Sequence, residues 1–314
     1  MGEASLGAEQ QVPQDPEDQA SHTGKTQEQV AAWQNSSART ELPLLDELAQ
    51  ELEVLVRDML TPAIAHQLLT SADTMALSFA TKQHEHLRSV RTLIAAGLHR
   101  DAQLIARTML ESWGRLRWAF NRVAERTDLW FWYGAILDWK QMAKNKQDGM
   151  VVDPADEVAL KSYVDQHGPN YYRPNVRQRI AGAQRDGTTY PLPADPWDKS
   201  DWTETDVRSM FVELGAERLY DSFYRRTSEW AHSGPRAILI ATDCQRTGTE
   251  EWGPNQFIDN DVIAGVWALG VACEAFVQTL DVLNSHFSLG HDERLKDTAE
   301  RLNAIFRASL ASAP

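Results

Sequence analysis

The chain has little sulfur chemistry to offer. Two cysteines, Cys244 and Cys273, stand in 314 residues. Two thiols build no disulfide framework over such a length, so the expected setting is a reducing cytoplasm. Positive charge is also scarce: 31 Lys and Arg face 45 Asp and Glu, for a net charge of -14. Such a chain repels bulk nucleic acid and anionic membranes, so any RNA-directed role requires a local basic surface. Glycine-rich phosphate loops, Gly-x-Ser-x-Gly elbows and Cys-x-x-Cys pairs are all missing, which removes the commonest sequence marks of nucleotide, hydrolase and thiol-redox chemistry. The opening MGEASLGAEQ has no basic segment followed by an apolar core, so no secretory signal is expected. Leu6 stands where a myristoylation signal needs Ser or Thr. No clean apolar run reaches the roughly 20 residues of a membrane span. The best attempt, VIAGVWALGVACEAFV at 262–277, is interrupted by Glu274 and flanked by Asp261 and Asp281. It reads as a buried core helix, and no membrane partner is expected.

What is present is ordinary globular material, 42% hydrophobic and 24% charged. Residues 1–42 are rich in Gln, Glu, Ser and Pro and poor in large apolar side chains. They cannot bury enough surface to offset their ordering entropy and are expected to form a disordered acidic tail. From Pro43 onward the apolar residues recur at helical spacing, beginning with Leu44, Leu45, Leu48, Leu52, Leu55, Val56 and Met59. Pro62 should kink or break that helix. Further helices are expected from Ser71 or Asp73 to about Gly97, from His99 to about Arg126, from Asp128 with Thr127 as cap, and after Asp153-Pro154. Residues 168–203 carry many Pro and Gly breakers and should be irregular, with one short helix near 175–185. Helices resume at 205–214, 216–232, 259–288 and 291–310, while 237–241 fits a short strand or a helical turn. No alternation of strand and helix is visible. The expected fold class is all-α, a multi-helix bundle forming a single domain over 43–312. Of the 11 Trp, five crowd near the third and fourth helices, as core packing or as an aromatic cage.

One stretch, YDSFYRRTSEWAHSG at 220–234, concentrates polar residues with chemical potential. On a uniform helix, Asp221, Arg225, Ser228 and His232 fall within about 60° of one another, and Glu229 lies three residues before His232, within reach of its imidazole. A histidine ordinarily titrates near neutrality and can move a proton. An arginine on the same face can stabilise charge on a phosphoryl group. With Ser228 and Glu229 as orienting groups, the set suits metal-independent cleavage of RNA, where the substrate's own 2′-hydroxyl is the nucleophile. The same residues also fit a structural role. A histidine near a helix C-terminus is favoured by the helix dipole, and Gly234-Pro235 is a normal stop. Arg107 and Glu111 lie four apart in an apolar helix and must pair or find other partners. They form either a structural ion pair or one wall of a pocket shared with the Ser228–His232 stripe.

Two resemblances attach to these residues. Arg225 or Arg226 followed by His232 is similar to the Arg-x(4–6)-His motif of the HEPN superfamily, many of whose members are dimeric ribonucleases of toxin and phage-defence systems. That resemblance implies an RNA substrate and a homodimer, with His232 as acid or base and Arg225 as phosphate stabiliser. More of the chain, HRDAQLIARTMLESWGRLRWAFN together with YRRTSEWAHSG, resembles a mostly bacterial helical family known only as domain of unknown function 5677. Its recurring features are matched by Arg107 and Glu111 and by Tyr224, Ser228 and His232, over roughly 75–290. It implies a helical fold and brings no activity. Asp221 completes the expected pocket set. The alternative reading is a non-enzymatic helical module that binds a small ligand or a partner protein there.

Other chemistries fare less well. Glu229-x-x-His232 resembles half of a di-iron ligand set, but no second copy occurs. His84 and His86 diverge on a helix and match no zinc spacing. No metal and no cofactor is expected. Arg173, Arg177, Arg179 and Arg185, beside Tyr171 and Tyr172, form the one local basic segment. They fit either RNA contact or a solvated loop and helix.

Overall fold

In the computed structural model, residues 27–65, 69–197, 201–231 and 258–311 are described. Among them the protein is helical throughout, with no strand and one isolated antiparallel bridge between Tyr172 and Trp197. The all-α expectation is met. The expected strand or turn at 237–241 lies outside the described residues, as does Cys244.

The element order is α1 (Gln27–Ile64), α2 (Ser71–Ala95), α3 (His99–Phe120), α4 (Val123–Gln147), α5 (Pro154–His167), a 3₁₀ turn (Gly168–Tyr171), α6 (Pro174–Arg185) and α7 (Val207–Glu213). A composite helix follows: α8 (Glu217–Leu219), a π turn (Tyr220–Tyr224) and α9 (Arg225–Ala231). Two long helices, α10 (Ile258–Phe287) and α11 (Asp292–Ala311), close the bundle. Of the expected tail, 1–26 lie outside the described residues. Residues 27–42 form the first turns of α1, which therefore starts well before Pro43. Its Ala- and Gln-rich sequence is compatible with helix.

The centre of the bundle is α10, packed against α3, α1 and α2. Its Ala268, Leu269, Ala272, Cys273, Ala275, Phe276, Leu280 and Leu283 are fully buried. Val262–Phe287 is long and apolar enough to cross a membrane by composition alone, but most of it is covered by neighbouring helices. It behaves as the core helix the sequence suggested. The alanines and Cys273 let α1 and α3 approach closely, while the larger side chains fill the space between them. Each large apolar side chain buried this way contributes about 1.5–3 kcal/mol. Burial pushes the Cys273 thiol well above its ordinary value, so it stays a neutral packing group.

Helix α2 starts at Ser71, and its cap lies one residue before the expected ones. Thr70 is the N-cap, its side chain accepting from the Asp73 backbone N–H while Asp73 accepts from the Thr70 N–H. This reciprocal arrangement satisfies two orphan donors at once. Asp73 also receives His286 Nε2 at 2.6 Å, which ties the start of α2 to the end of α10.

The α3–α4 boundary differs from expectation. The third helix stops at Phe120 and the fourth starts at Val123, five residues earlier than the Asp128 start. Thr127, expected as a cap, is buried inside α4 with its hydroxyl donating to the Val123 carbonyl. Arg126 explains the tight hairpin. Its guanidinium lies 3.6 Å over the Trp118 ring, donates to the Trp118 carbonyl at 2.6 Å and pairs with Glu213 at 2.9 Å. One buried cation thus joins α3, α4 and α7. Around it Leu116, Trp118, Tyr133, Ile136, Tyr171, Trp197, Trp202 and Met210 form a second apolar cluster. The crowded Trp residues are packing material here. The breaker-rich region does contain one short helix, α6, close to where it was expected.

Two outcomes follow from this packing. A Cβ at Gly114 would lie 2.4 Å from the buried Phe211 ring, whereas nothing lies within 4 Å of one at Gly134. Gly114→Ala should therefore lower unfolding free energy by about 1–3 kcal/mol, and Gly134→Ala should be neutral or stabilising by up to about 1 kcal/mol, both measured by urea denaturation. Burial raises the Asp73 carboxyl, but bonds from Thr70 and His286 outweigh it and hold it below its ordinary value. Its stabilising contribution is complete above the unfolded value of about 3.9 and is lost as pH falls through the lower folded value. Asp73→Asn should accordingly flatten the acid limb of a stability-versus-pH profile.

Candidate functional site

The expected pocket residues divide into a cluster that forms and a set that does not join it. Tyr224 is the centre of the cluster. Its hydroxyl donates to Glu111 Oε2 at 2.8 Å, and its ring lies under the Arg107 guanidinium at 4.3 Å. Arg107 and Glu111 project from one side of α3, as their spacing of four requires, and Tyr224 enters from the composite helix. Arg107 and Glu111 therefore share a tyrosine rather than pairing directly. Glu111 Oε1 instead accepts from Arg115 Nη2 at 2.9 Å and Nε at 3.1 Å. Arg115 Nη1 reaches on to Asp201 Oδ2, in the segment before α7.

This network carries two guanidiniums and two carboxylates, so its formal charges cancel. All four charged side chains are partly buried. Burial alone would lower Arg115, but Asp201 and Glu111 outweigh it and hold it above its ordinary value. Burial and the bond to Glu111 push the Tyr224 phenol up, with Arg107 opposing. Tyr224 is therefore a neutral hydroxyl donor at physiological pH. The Arg107 Nε is buried and has no hydrogen-bond partner among the described residues. Its stack on Tyr224 supplies cation–π attraction in place of an ion pair.

Tyr224 is positioned by an aromatic ladder. Trp113 meets Phe211 edge-on at 5.5 Å, Phe211 meets Tyr220 at 5.7 Å, and Tyr220 stacks on Tyr224 at 4.8 Å and 22°. The last pair needs the π turn. The Arg225 backbone N–H donates to the Tyr220 carbonyl, five residues back, which widens the helix at this point. The uniform 100° stripe is thereby broken between Asp221 and the residues that follow. Asp221 and Arg225 are exposed, whereas Ser228 is half-buried. The Ser228 hydroxyl donates to the Tyr224 carbonyl at 2.9 Å. It keeps lone pairs to accept with, but its proton is committed. Glu229 belongs to α9 by its backbone; its side chain and all of His232 lie outside the described residues.

Two of the four arginines of the basic segment meet carboxylates. Arg177 pairs with Glu204, and Arg173 lies 4.0 Å from Asp195. Arg179 reaches the Tyr190 hydroxyl at 3.2 Å. Arg177, Tyr171 and Tyr172 line a cavity of about 310 Å³ that also touches Asp201. Tyr171 is held by its hydroxyl on the Leu129 carbonyl. Among the described residues, no group of three or more His, Cys, Asp or Glu could hold a metal ion.

Sequence reasoning identified Arg107, Glu111 and Tyr224 as one site and missed Asp201. The Glu111–Arg115 pair was readable from its acid-before-base spacing of four. Asp201 comes from 86 positions along the chain from Arg115, and no local pattern marks it.

A family model described as a family of unknown function, DUF5677, matches residues 73–248. No curated protein matches the chain, and no solved structure does. The matched residues contain Arg107, Glu111, Tyr224, Ser228 and His232.

Removing the Tyr224 hydroxyl leaves Glu111 with Arg115 as its remaining partner in the network and preserves the ring under Arg107. Tyr224→Phe should cost about 1–2 kcal/mol of stability, as expected for a hydrogen bond to a charged acceptor, by urea denaturation at pH 7.

Proposed function

The chain belongs to this family of unknown function, which provides a framework without an assigned chemistry, and we propose that it is a metal-independent endoribonuclease of the HEPN type. The observation that supports this most is the contact of Tyr224 with Arg107 and Glu111. It joins the polar pair of α3 to the helix that bears Arg225 and Ser228, and His232 is the next residue in sequence after the last described residue of that helix.

The chemistry assigned to these groups is transesterification. The 2′-oxygen attacks the adjacent phosphorus and the bond from phosphorus to the 5′-oxygen breaks. The 2′-proton goes to a base, and the leaving 5′-oxygen takes a proton from an acid. The products are a 2′,3′-cyclic phosphate and a 5′-hydroxyl. His232 acts in proton transfer, and Arg225, exposed on the first turn of α9, stabilises charge on the phosphoryl oxygens. Ser228 accepts from a substrate hydroxyl, since its own proton is committed to Tyr224. Glu229 orients the imidazole. His232 supplies one proton-transfer group per site, and a homodimer brings the second. A cytoplasmic protein has the RNA substrate at hand. The exposed Arg225 provides the local positive charge that an overall acidic chain needs for RNA.

A second reading is a non-enzymatic module that binds a small ligand or a partner protein. It is favoured by one feature: Glu111, Arg115, Asp201 and the Tyr224 hydroxyl satisfy one another, as a finished structural wall would.

Incubating purified full-length protein with labelled RNA in EDTA separates the two. The nuclease reading expects cleavage to 2′,3′-cyclic phosphate ends. It also expects His232→Ala to lose about 10²–10⁴-fold in rate with its thermal midpoint unchanged. Intact RNA, or undiminished cleavage by His232→Ala, leaves the binding module.

A further inference from the structure

A separate cavity of about 770 Å³ opens between α1, α2 and α10, away from the Tyr224 cluster. Its size falls within the range of small-molecule sites. Its walls divide into two kinds. Leu42, Ile94, Val262 and Leu269 supply apolar surface from three helices. Asp46, Glu53, Arg88, Arg91, Thr92 and His99 supply the polar groups.

Arg91 is a fixed strut. Its Nε bonds Asp46 Oδ1 at 2.7 Å and its Nη1 bonds Glu53 Oε1 at 2.5 Å. Asp46 also accepts from Gln50. Both carboxylates are thus turned onto partners within the protein. Arg88, one turn earlier on the same helix, is exposed and has no carboxylate partner among the described residues. His99 is the unusual member. Its side chain is 9% exposed, and its Nδ1 is buried with no hydrogen-bond partner among the described residues. A buried polar atom left in this state costs stability unless something satisfies it. The ring is held there by a close approach: a Cβ at position 265 would lie 2.9 Å from His99 Cδ2, so Gly265 is what lets α10 pass beside the imidazole.

An apolar chamber with one uncommitted cation at its rim is complementary to an amphipathic acid. We infer that this cavity binds a small monocarboxylic acid with an apolar body, its carboxylate on Arg88 and its body against Leu42, Ile94, Val262 and Leu269, beside the His99 ring. Asp46 and Glu53 also line the cavity, but both are turned onto Arg91, which leaves Arg88 as the uncommitted charge at the rim. The site is independent of the proposed nuclease chemistry and stands or falls separately.

Calorimetric titration of the full chain with decanoate, decanol and decylamine tests the assignment, because the three probes share a body and differ in head group. Decanoate should bind saturably and about tenfold or more tighter than decanol, with decylamine weakest, and the His99 ring resonances should shift in step with occupancy. Arg88→Gln, at an exposed position, should keep the fold and abolish the preference for decanoate over decanol. Ile94→Trp, which fills the chamber, should remove binding of all three. Failure of the wild-type chain to bind decanoate saturably would overturn the inference. Equal affinity for the three probes, or an unchanged preference in Arg88→Gln, would overturn it too.

Discussion

Tyr224 is the joint on which the polar architecture of this protein turns. Its ring carries the Arg107 guanidinium and its hydroxyl is donated to Glu111. Without it, two charged side chains in the middle of α3 would face a partly buried environment with fewer partners, which is costly. The tyrosine answers both demands with one side chain, because its face attracts a cation and its edge donates a proton. The π turn is the backbone adjustment that goes with this. It brings Tyr220 and Tyr224 into a stack and continues the ladder back to Phe211 and Trp113 in the core. The position of the composite helix is therefore coupled to the packing of α7 against α3, where Gly114 permits the Phe211 ring to approach.

The larger frame is set by a different force. Helix α10 is apolar on nearly every side, and burying it requires α1, α2 and α3 around it. Burial of that area is non-directional and supplies most of the cohesion. Directional contacts then fix the arrangement at a few points: His286 on Asp73, Gln83 on the Met109 carbonyl and the Arg126 contacts with Trp118 and Glu213. The division is physically sensible. A bundle can be held together by apolar area alone, but a cluster of four charges between α3 and the segment before α7 needs defined angles. The acid cavity proposed beside α2 sits on this frame too, at the one place where His99 enters it with an unmatched nitrogen.

The fold was legible because helix periodicity is local. Leu45, Leu48, Leu52 and Val56 follow three-and-four spacing and are all buried, and Asp153-Pro154 marks the start of α5 as a cap and first-turn proline should. The misplaced boundary between α3 and α4 shows the limit. Thr127 is a good cap by propensity, but Arg126 stacked on Trp118 is a tertiary contact, and it fixes the turn elsewhere. The site was legible in part for the same reason. Arg107 and Glu111 share a helix, and four-residue spacing places them together. Their union with Tyr224 spans 113 positions from Glu111 and was expected through family resemblance. The π turn has no clear sequence mark, so the stripe containing Asp221, Arg225 and Ser228 was drawn too straight. Arg173 and Arg177 looked basic in a window without acids, yet Asp195 and Glu204 reach them from the far side of the loop.

The most direct test of this account is a double-mutant cycle between Tyr224→Phe and Glu111→Gln, read as unfolding free energy at pH 7. If the tyrosine hydroxyl and the carboxylate form one unit, the two losses will fall short of additivity by about 1 kcal/mol or more, within the range seen for residues in contact. Losses that add to within about 0.3–0.5 kcal/mol would mean that the two groups act independently and that no such joint holds α3 to the composite helix.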